Sequence, residues 1–206
     1  MFIDYCDKIN PSLEKLDFAK AIEIAEAHLQ EQPDSDFHAV IGITLVDQAG
    51  DVADWIDQFY QSVSKKIKVE ALYFEMNEFT INPDLWFING LAYDKDGGLH
   101  EDYKDMDWLC DWNFDTEKEI DSVFVIKNLE KLQTAFERYT KDVGRDIPWT
   151  KEVEAAQDWC AHIIVVRFME LMRNAHLVAK QKQYAWSKIP IYFTFHEYTF
   201  IVKSEN

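Results

Sequence analysis

The feature that most constrains how this chain can fold is a run of acidic and aromatic residues from Tyr93 to Asp121, here called the acidic stretch. So many like charges are unlike an ordinary core element, because charged side chains are almost never fully buried without partners. The acidic stretch therefore predicts a solvated segment between core elements. Its eleven carboxylates are Asp94, Asp96, Glu101, Asp102, Asp105, Asp107, Asp111, Asp115, Glu117, Glu119 and Asp121. Its lysines are Lys95, Lys104 and Lys118, and its four large aromatic residues are Tyr103, Trp108, Trp112 and Phe114.

Two interpretations of these aromatic residues remain open. In the first, aromatic side chains supply buried contact area to a partner while the surrounding carboxylates attract it. In the second, the spacing of Trp108, Leu109 and Trp112 forms a short helical face that turns inward and leaves the carboxylates as a solvated rim. The two interpretations are compatible. The candidate partner-binding residues are Asp102, Tyr103, Asp105, Asp107, Trp108, Asp111 and Trp112.

Negative charge is concentrated in the first three-fifths of the chain. Residues 1–126 contain 28 acidic and 9 basic residues, whereas residues 127–206 contain 10 acidic and 12 basic residues. An acidic surface repels phosphate backbones and anionic lipid head groups, which argues against nucleic acid and membranes as partners. It favours a basic protein partner, although an acidic surface also serves solubility alone. Charge does not determine the oligomeric state.

The pattern of hydrophobic residues predicts an α+β fold in a single domain, 1–206. Residues 1–66 show helical spacing and form an N-terminal helical part, whereas residues 67–206 combine strands with helices. We expect a small antiparallel sheet packed against the helices. The longest helix is predicted from about Lys151 to Gln181, and its middle is apolar on most faces, which is typical of a buried helix.

No motif for a familiar catalytic or cofactor site is present. The glycines do not form a phosphate-binding loop or a dinucleotide-binding fingerprint, and there is no nucleophile elbow and no zinc-protease motif. An EF-hand register that places Gly97 at position six puts Ala92 at position one and Tyr103 at position twelve, where carboxylates are required. We therefore expect no cofactor and no metal site of known pattern. The missing motifs favour a non-enzymatic protein over an enzyme without deciding between them. A looser divalent-cation site stays open at Asp94, Asp96, Glu101 and Asp102.

The alternative to a binding protein is an enzyme or small-ligand-binding protein with an unfamiliar site between the sheet and the long helix. Its candidate pocket residues are His162 and Arg167, two polar residues on the apolar part of the predicted long helix. A hydrogen-bonded core histidine and an ion-paired or snorkelling arginine would explain the same residues without a pocket.

The cysteines and the start of the chain bear on the compartment. Cys6, Cys110 and Cys160 are an odd, scattered set, which is typical of reduced thiols. The first residues lack the basic segment and apolar run of a secretory signal. Together these features predict a cytoplasmic protein.

The acidic, aromatic-rich character of residues 1–126 resembles that of the immunity proteins that neutralise bacterial toxins. The resemblance is one of composition and brings no functional residues with it. It implies a bacterial protein that binds a basic toxin domain stoichiometrically and blocks the active cleft of that toxin.

Overall fold

The computed structural model describes residues 2–77, 79, 84–101, 105–140, 150–196, 198 and 200–205. Its α-helices are α1 (Phe2–Leu13), α2 (Phe18–Gln30), α3 (Ala49–Val63), α4 (Thr116–Ile120), α5 (Glu130–Thr140) and α6 (Lys151–Lys182). Its strands are β1 (Ala71–Met76), β2 (Phe87–Tyr93), β3 (Phe114–Asp115), β4 (Phe124–Val125), β5 (Ile191–Phe195) and β6 (Val202–Ser204). The predicted α+β class is confirmed, with helices at the N-terminus and one long helix near the C-terminus.

The six strands form one sheet in the order β3-β2-β1-β5-β6, and β4 pairs with β2 beside β3. The pairings of β1 with β2, of β2 with β3 and β4, and of β5 with β6 are antiparallel, as expected. The pairing of β1 with β5 is parallel, which makes the sheet mixed. Parallel neighbours need a long crossover connection, and here that crossover contains the acidic stretch and both α5 and α6.

The chain divides into two compact units, each described by itself. The first comprises the described residues of Met1–Leu45, Glu78–Trp86 and Ile126–Phe168. It contains α1, α2, α5 and residues 151–168 of α6. Its core includes aromatic contacts between Phe37 and Phe136, with ring centroids 5.3 Å apart. Asp17 caps α2, because its side chain accepts a hydrogen bond from the backbone N–H of Lys20.

The second unit comprises the described residues of Val46–Asn77, Phe87–Val125 and Met169–Asn206. It contains the whole sheet, α3, α4 and residues 169–182 of α6, which pack on the sheet through contacts with Ser204 of β6. The burial of α6 is confirmed, since residues 159–166 are all buried. Organisation as a single domain, 1–206, stays a prediction.

The sheet has two chemically different faces, because successive side chains of a strand alternate between them. On one face Phe74 of β1 packs against Trp55 of α3, with ring centroids 5.9 Å apart. On the other face β1, β2 and β5 present Tyr73, Tyr93 and Tyr192, which we call the tyrosine face. No helix among the described residues is long and apolar enough to span a bilayer.

Candidate functional site

The acidic stretch packs on the tyrosine face. Met106 and Trp108 from the acidic stretch belong to the same buried cluster as the three tyrosines. Leu99 and Leu109 pack against that cluster from partly buried positions. The acidic stretch is therefore fixed to the sheet by apolar side chains that lie between its carboxylates in sequence.

Trp108 is the central anchor of the acidic stretch. Its side chain is 7% exposed and makes edge-to-face contacts with Tyr93 and Tyr192, with ring centroids 4.7 and 5.5 Å apart. Its indole Nε1–H donates a hydrogen bond of 2.8 Å to the carbonyl oxygen of Gly98. Trp108 thus turns inward, as the second interpretation expected, and it holds the loop on the sheet; its role in partner binding stays a prediction.

Trp112 has the opposite orientation. Its side chain is 44% exposed. It follows a short 3-10 helix, Leu109–Asp111, and has extended backbone angles, which end the helical face that the spacing predicted. The two tryptophans therefore differ in role: Trp108 supports the loop, and Trp112 offers apolar area to solvent or to a partner.

The carboxylates of the predicted surface lie outside this core. Asp105, Asp107 and Asp111 are exposed, and Asp111 forms an ion pair with Lys95. Two further candidates, Asp102 and Tyr103, lie outside the described residues. A role in partner binding for this set stays a prediction.

Asp96 is committed to holding the loop. Its Oδ1 atom accepts hydrogen bonds from the hydroxyl of Tyr192 at 2.5 Å and from the backbone N–H of Gly98 at 3.0 Å. Burial and the bond to Asp96 raise the pKa of Tyr192, so this phenol remains a donor at neutral pH. Within the part of the chain that the structure describes, no group of three or more His, Cys, Asp or Glu residues could hold a metal ion. Asp102, one candidate ligand of the looser cation site, is not described.

A cavity of about 400 Å³ opens within the acidic stretch. Residues 97–101 form one side of it, and Asp107 and Trp108 form the other. Glu101 and Asp107 are both exposed, and neither has a side-chain hydrogen bond or an ion pair with any described residue. The cavity therefore combines an aromatic wall with two carboxylates that are not neutralised within the described chain.

A hydrogen-bonded group at the end of the tyrosine face was not predicted. Glu75 accepts a hydrogen bond from the Tyr73 hydroxyl at 2.6 Å and lies 2.7 Å from Nδ1 of His196. Burial and the neighbouring carboxylate of Glu75 raise the pKa of Tyr73, which keeps this hydroxyl protonated. Because successive side chains of β1 alternate between the two faces of the sheet, Tyr73 and Glu75 lie on one face. Only the parallel pairing of β1 with β5 brings His196 to them.

The alternative pocket residues lie in the first unit. His162 is fully buried, with Cys6 Sγ 3.6 Å from its Nε2 atom and the carbonyl oxygen of Asp158 2.8 Å from its Nδ1 atom. Arg167 lies 3.7 Å from the carboxylate of Glu26. These contacts are those of a hydrogen-bonded core histidine and a paired arginine. A cavity of about 500 Å³ in this unit is lined by other residues, in segments 34–39 and 131–138. A ligand site at His162 and Arg167 stays a prediction.

No protein-family model, curated protein or solved structure matches the chain significantly. The likeness to immunity proteins is therefore one of composition alone. Function is inferred below from the charge, exposure and contacts of the chain's own residues.

Proposed function

We propose that this chain is a non-enzymatic protein-binding module that presents the acidic stretch to a basic protein, in the manner of an immunity protein bound to a toxin. The observation that carries the proposal is the difference in exposure between two tryptophans of the acidic stretch. Trp108 is buried and holds the loop on the tyrosine face, whereas Trp112 is exposed among outward-facing carboxylates. Tryptophan is enriched among the residues that contribute most binding energy, and a polar rim usually surrounds the apolar centre of an interface.

The anchoring of the loop supports binding because it lowers the entropy that binding must remove. Asp96 and Trp108 each tie the loop to itself or to β5 by hydrogen bonds. A loop already held in one conformation loses less freedom when a partner docks on it. Carboxylates fixed in space also steer a basic partner during encounter, which raises the association rate.

The test compares the wild-type protein with the triple variant Asp105→Asn, Asp107→Asn, Asp111→Asn. Each tagged protein is returned to the cells that naturally produce it and recovered with its bound proteins, which are identified by mass spectrometry. We expect the wild type to recover one or a few basic proteins in a complex that high salt dissociates, and the triple variant to lose them. A purified partner should then associate at least ~10-fold more slowly with the triple variant at low salt.

The matched control removes three exposed carboxylates outside the acidic stretch, with Glu14→Gln, Asp47→Asn and Asp84→Asn. It has the same net charge as the triple variant, so it separates the acidic stretch from overall acidity. Equal recovery by the wild type and both variants would overturn the proposal. If both variants fail to recover the basic partner, net charge rather than the acidic stretch attracts it. That result would also overturn the proposal.

A further inference from the structure

We infer that the cavity of the acidic stretch binds the cationic side chain of a lysine or arginine residue of the partner. This inference rests on the proposed function, because it names the group by which the basic partner is recognised. The cavity is about 400 Å³ in volume, within the range of about 300–1,000 Å³ that is usual for small-ligand pockets. It is therefore large enough for one long side chain.

Two carboxylates determine the charge of the ligand. Glu101 and Asp107 line the cavity from opposite segments of the loop, and neither is paired with a base among the described residues. The two described lysines of the acidic stretch are paired with other carboxylates, Lys95 with Asp111 and Lys118 with Asp115. Its third lysine, Lys104, lies outside the described residues. Both Glu101 and Asp107 are exposed, so their combined negative charge, rather than exclusion of water, favours a cation over a neutral or anionic group.

The remaining walls fit the apolar stem of such a side chain. Trp108 contributes an indole and Leu99 an aliphatic side chain to the lining. Lysine and arginine carry three or four methylene groups that pack on apolar surface while the charged head reaches polar groups. An ammonium or guanidinium group on a long stem therefore matches this cavity better than a bare inorganic cation, which would use only the carboxylates.

The cavity also has a rigid framework. Gly97 lies against the Trp108 indole, and the backbone carbonyl of Gly98 accepts the indole N–H. These contacts fix the aromatic wall relative to the segment that carries Glu101. A preformed site can bind a single side chain weakly on its own, which allows the inference to be tested without the partner.

The probes are Nα-acetyl-lysine amide and Nα-acetyl-arginine amide, with the neutral Nα-acetyl-norleucine amide and Nα-acetyl-citrulline amide as controls. Binding is followed by the indole N–H resonance of Trp108 in nitrogen–proton NMR spectra, because this group lies at the cavity wall. We expect saturable shifts with the two cationic probes, millimolar affinity for an isolated side chain, and at least ~10-fold weaker binding of the neutral probes. The double variant Glu101→Gln, Asp107→Asn should lose the cationic preference while keeping the Trp108 resonance.

The control variant is Asp94→Asn, Glu117→Gln, which removes two exposed carboxylates of the same unit that do not line the cavity. It should bind the cationic probes as the wild type does. Equal binding of cationic and neutral probes, or unchanged binding by the Glu101/Asp107 variant, would overturn the inference. Slow partner association in the Asp105/Asp107/Asp111 variant with no probe binding in the wild type would overturn this inference alone. Selective probe binding with no captured partner would overturn the proposed function alone.

Discussion

Gly97 lies so close to the indole of Trp108 that a Cβ atom added at Gly97 would be 2.3 Å from Cδ1 of the ring. No real Cβ atom tolerates this distance, so the position requires glycine for reasons of space. The indole cannot easily move away, because edge-to-face contacts with Tyr93 and Tyr192 hold it. The pair therefore links the conformation of the acidic stretch to the tyrosine face of the sheet.

The first prediction concerns this pair. Gly97→Ala should lower the free energy of unfolding by about 1–3 kcal/mol, the usual cost of overpacking, and should shift the Trp108 indole resonance. Urea denaturation and NMR measure the two effects. The control is Gly50→Ala in α3, where an added Cβ meets nothing within 4 Å. That variant should be neutral or more stable by up to about 1 kcal/mol, because alanine favours a helix over glycine. Equal stability of the two variants would contradict the prediction.

The second prediction concerns pH and His176, a fully buried histidine of α6. Its Nε2–H donates to the carbonyl oxygen of Ser187 at 3.1 Å, and its Nδ1 accepts from the Ser204 hydroxyl at 2.6 Å. Burial lowers the pKa of His176 to about 4, from 6.5 in the unfolded chain. Between these values the unfolded chain binds more protons, so the free energy of unfolding falls as the pH falls.

Titration of His176 alone should lower the free energy of unfolding by about 3 kcal/mol between pH 6.5 and pH 4. His176→Gln should flatten the dependence of stability on pH in this window, even if the variant is less stable throughout. Urea denaturation at a series of pH values provides the measurement. The same slope in the wild type and the variant would show that His176 is not the titrating group.

The third prediction concerns Asp158 on α6. Its effect on the free energy of unfolding changes with pH in the opposite direction to that of His176. Burial, followed by the negative charge of Glu154, raises the pKa of Asp158 from 3.8 to about 6. Its Oδ2 atom is buried without a hydrogen-bond partner within the described chain. The ionised carboxylate therefore destabilises the folded state above pH 6, and this cost disappears as the pH falls through about 6 toward 4.

Asp158→Asn should accordingly stabilise the protein by about 1–2 kcal/mol near pH 8, a value reduced for solvent screening of a partly exposed group. Near pH 4 the same substitution should change stability little, because the carboxyl is then neutral. Thermal denaturation at both pH values checks this difference. A variant that is destabilised equally at both would contradict the prediction.

The fourth prediction concerns the three thiols. Cys6 and Cys160 are buried, and burial raises the pKa of Cys160, whereas Cys110 is exposed. The thiolate is the reactive form, so a buried thiol with a raised pKa reacts slowly. In the native protein one thiol should react quickly with a disulfide reagent such as Ellman's reagent, and Cys110→Ser should abolish that fast phase. Fast reaction of a second thiol in the variant would show that Cys6 or Cys160 is accessible.

Much of the secondary structure was predictable because it depends on local spacing. The apolar positions Val52, Ile56 and Phe59 recur at helical intervals, and they lie buried on one side of α3. The long helix α6 was predicted within one residue at its C-terminal end, since no glycine or proline interrupts residues 151–182. The apolar, β-branched pattern of residues 122–127 favours a strand, but only Phe124 and Val125 pair with β2 in the structure.

The candidate site was predictable only in part. Composition identified the acidic stretch as a solvated segment, and short-range spacing indicated that some of its tryptophans turn inward. Spacing could not separate Trp108 from Trp112, because the helical turn ends between them at Asp111. The group of Tyr73, Glu75 and His196 was missed, since residues 121 positions apart in sequence give no local signal.

The sequence by itself determined the α+β class, the charge polarity and the absence of familiar catalytic motifs, because these depend on composition and on periods of two and 3.6 residues. Only the tertiary structure decided the parallel pairing of β1 with β5, the inward position of Trp108 and the cavity beside it. Each of these depends on which distant surfaces meet. That outcome is set by the packing of whole elements, and the same local pattern is compatible with several packings.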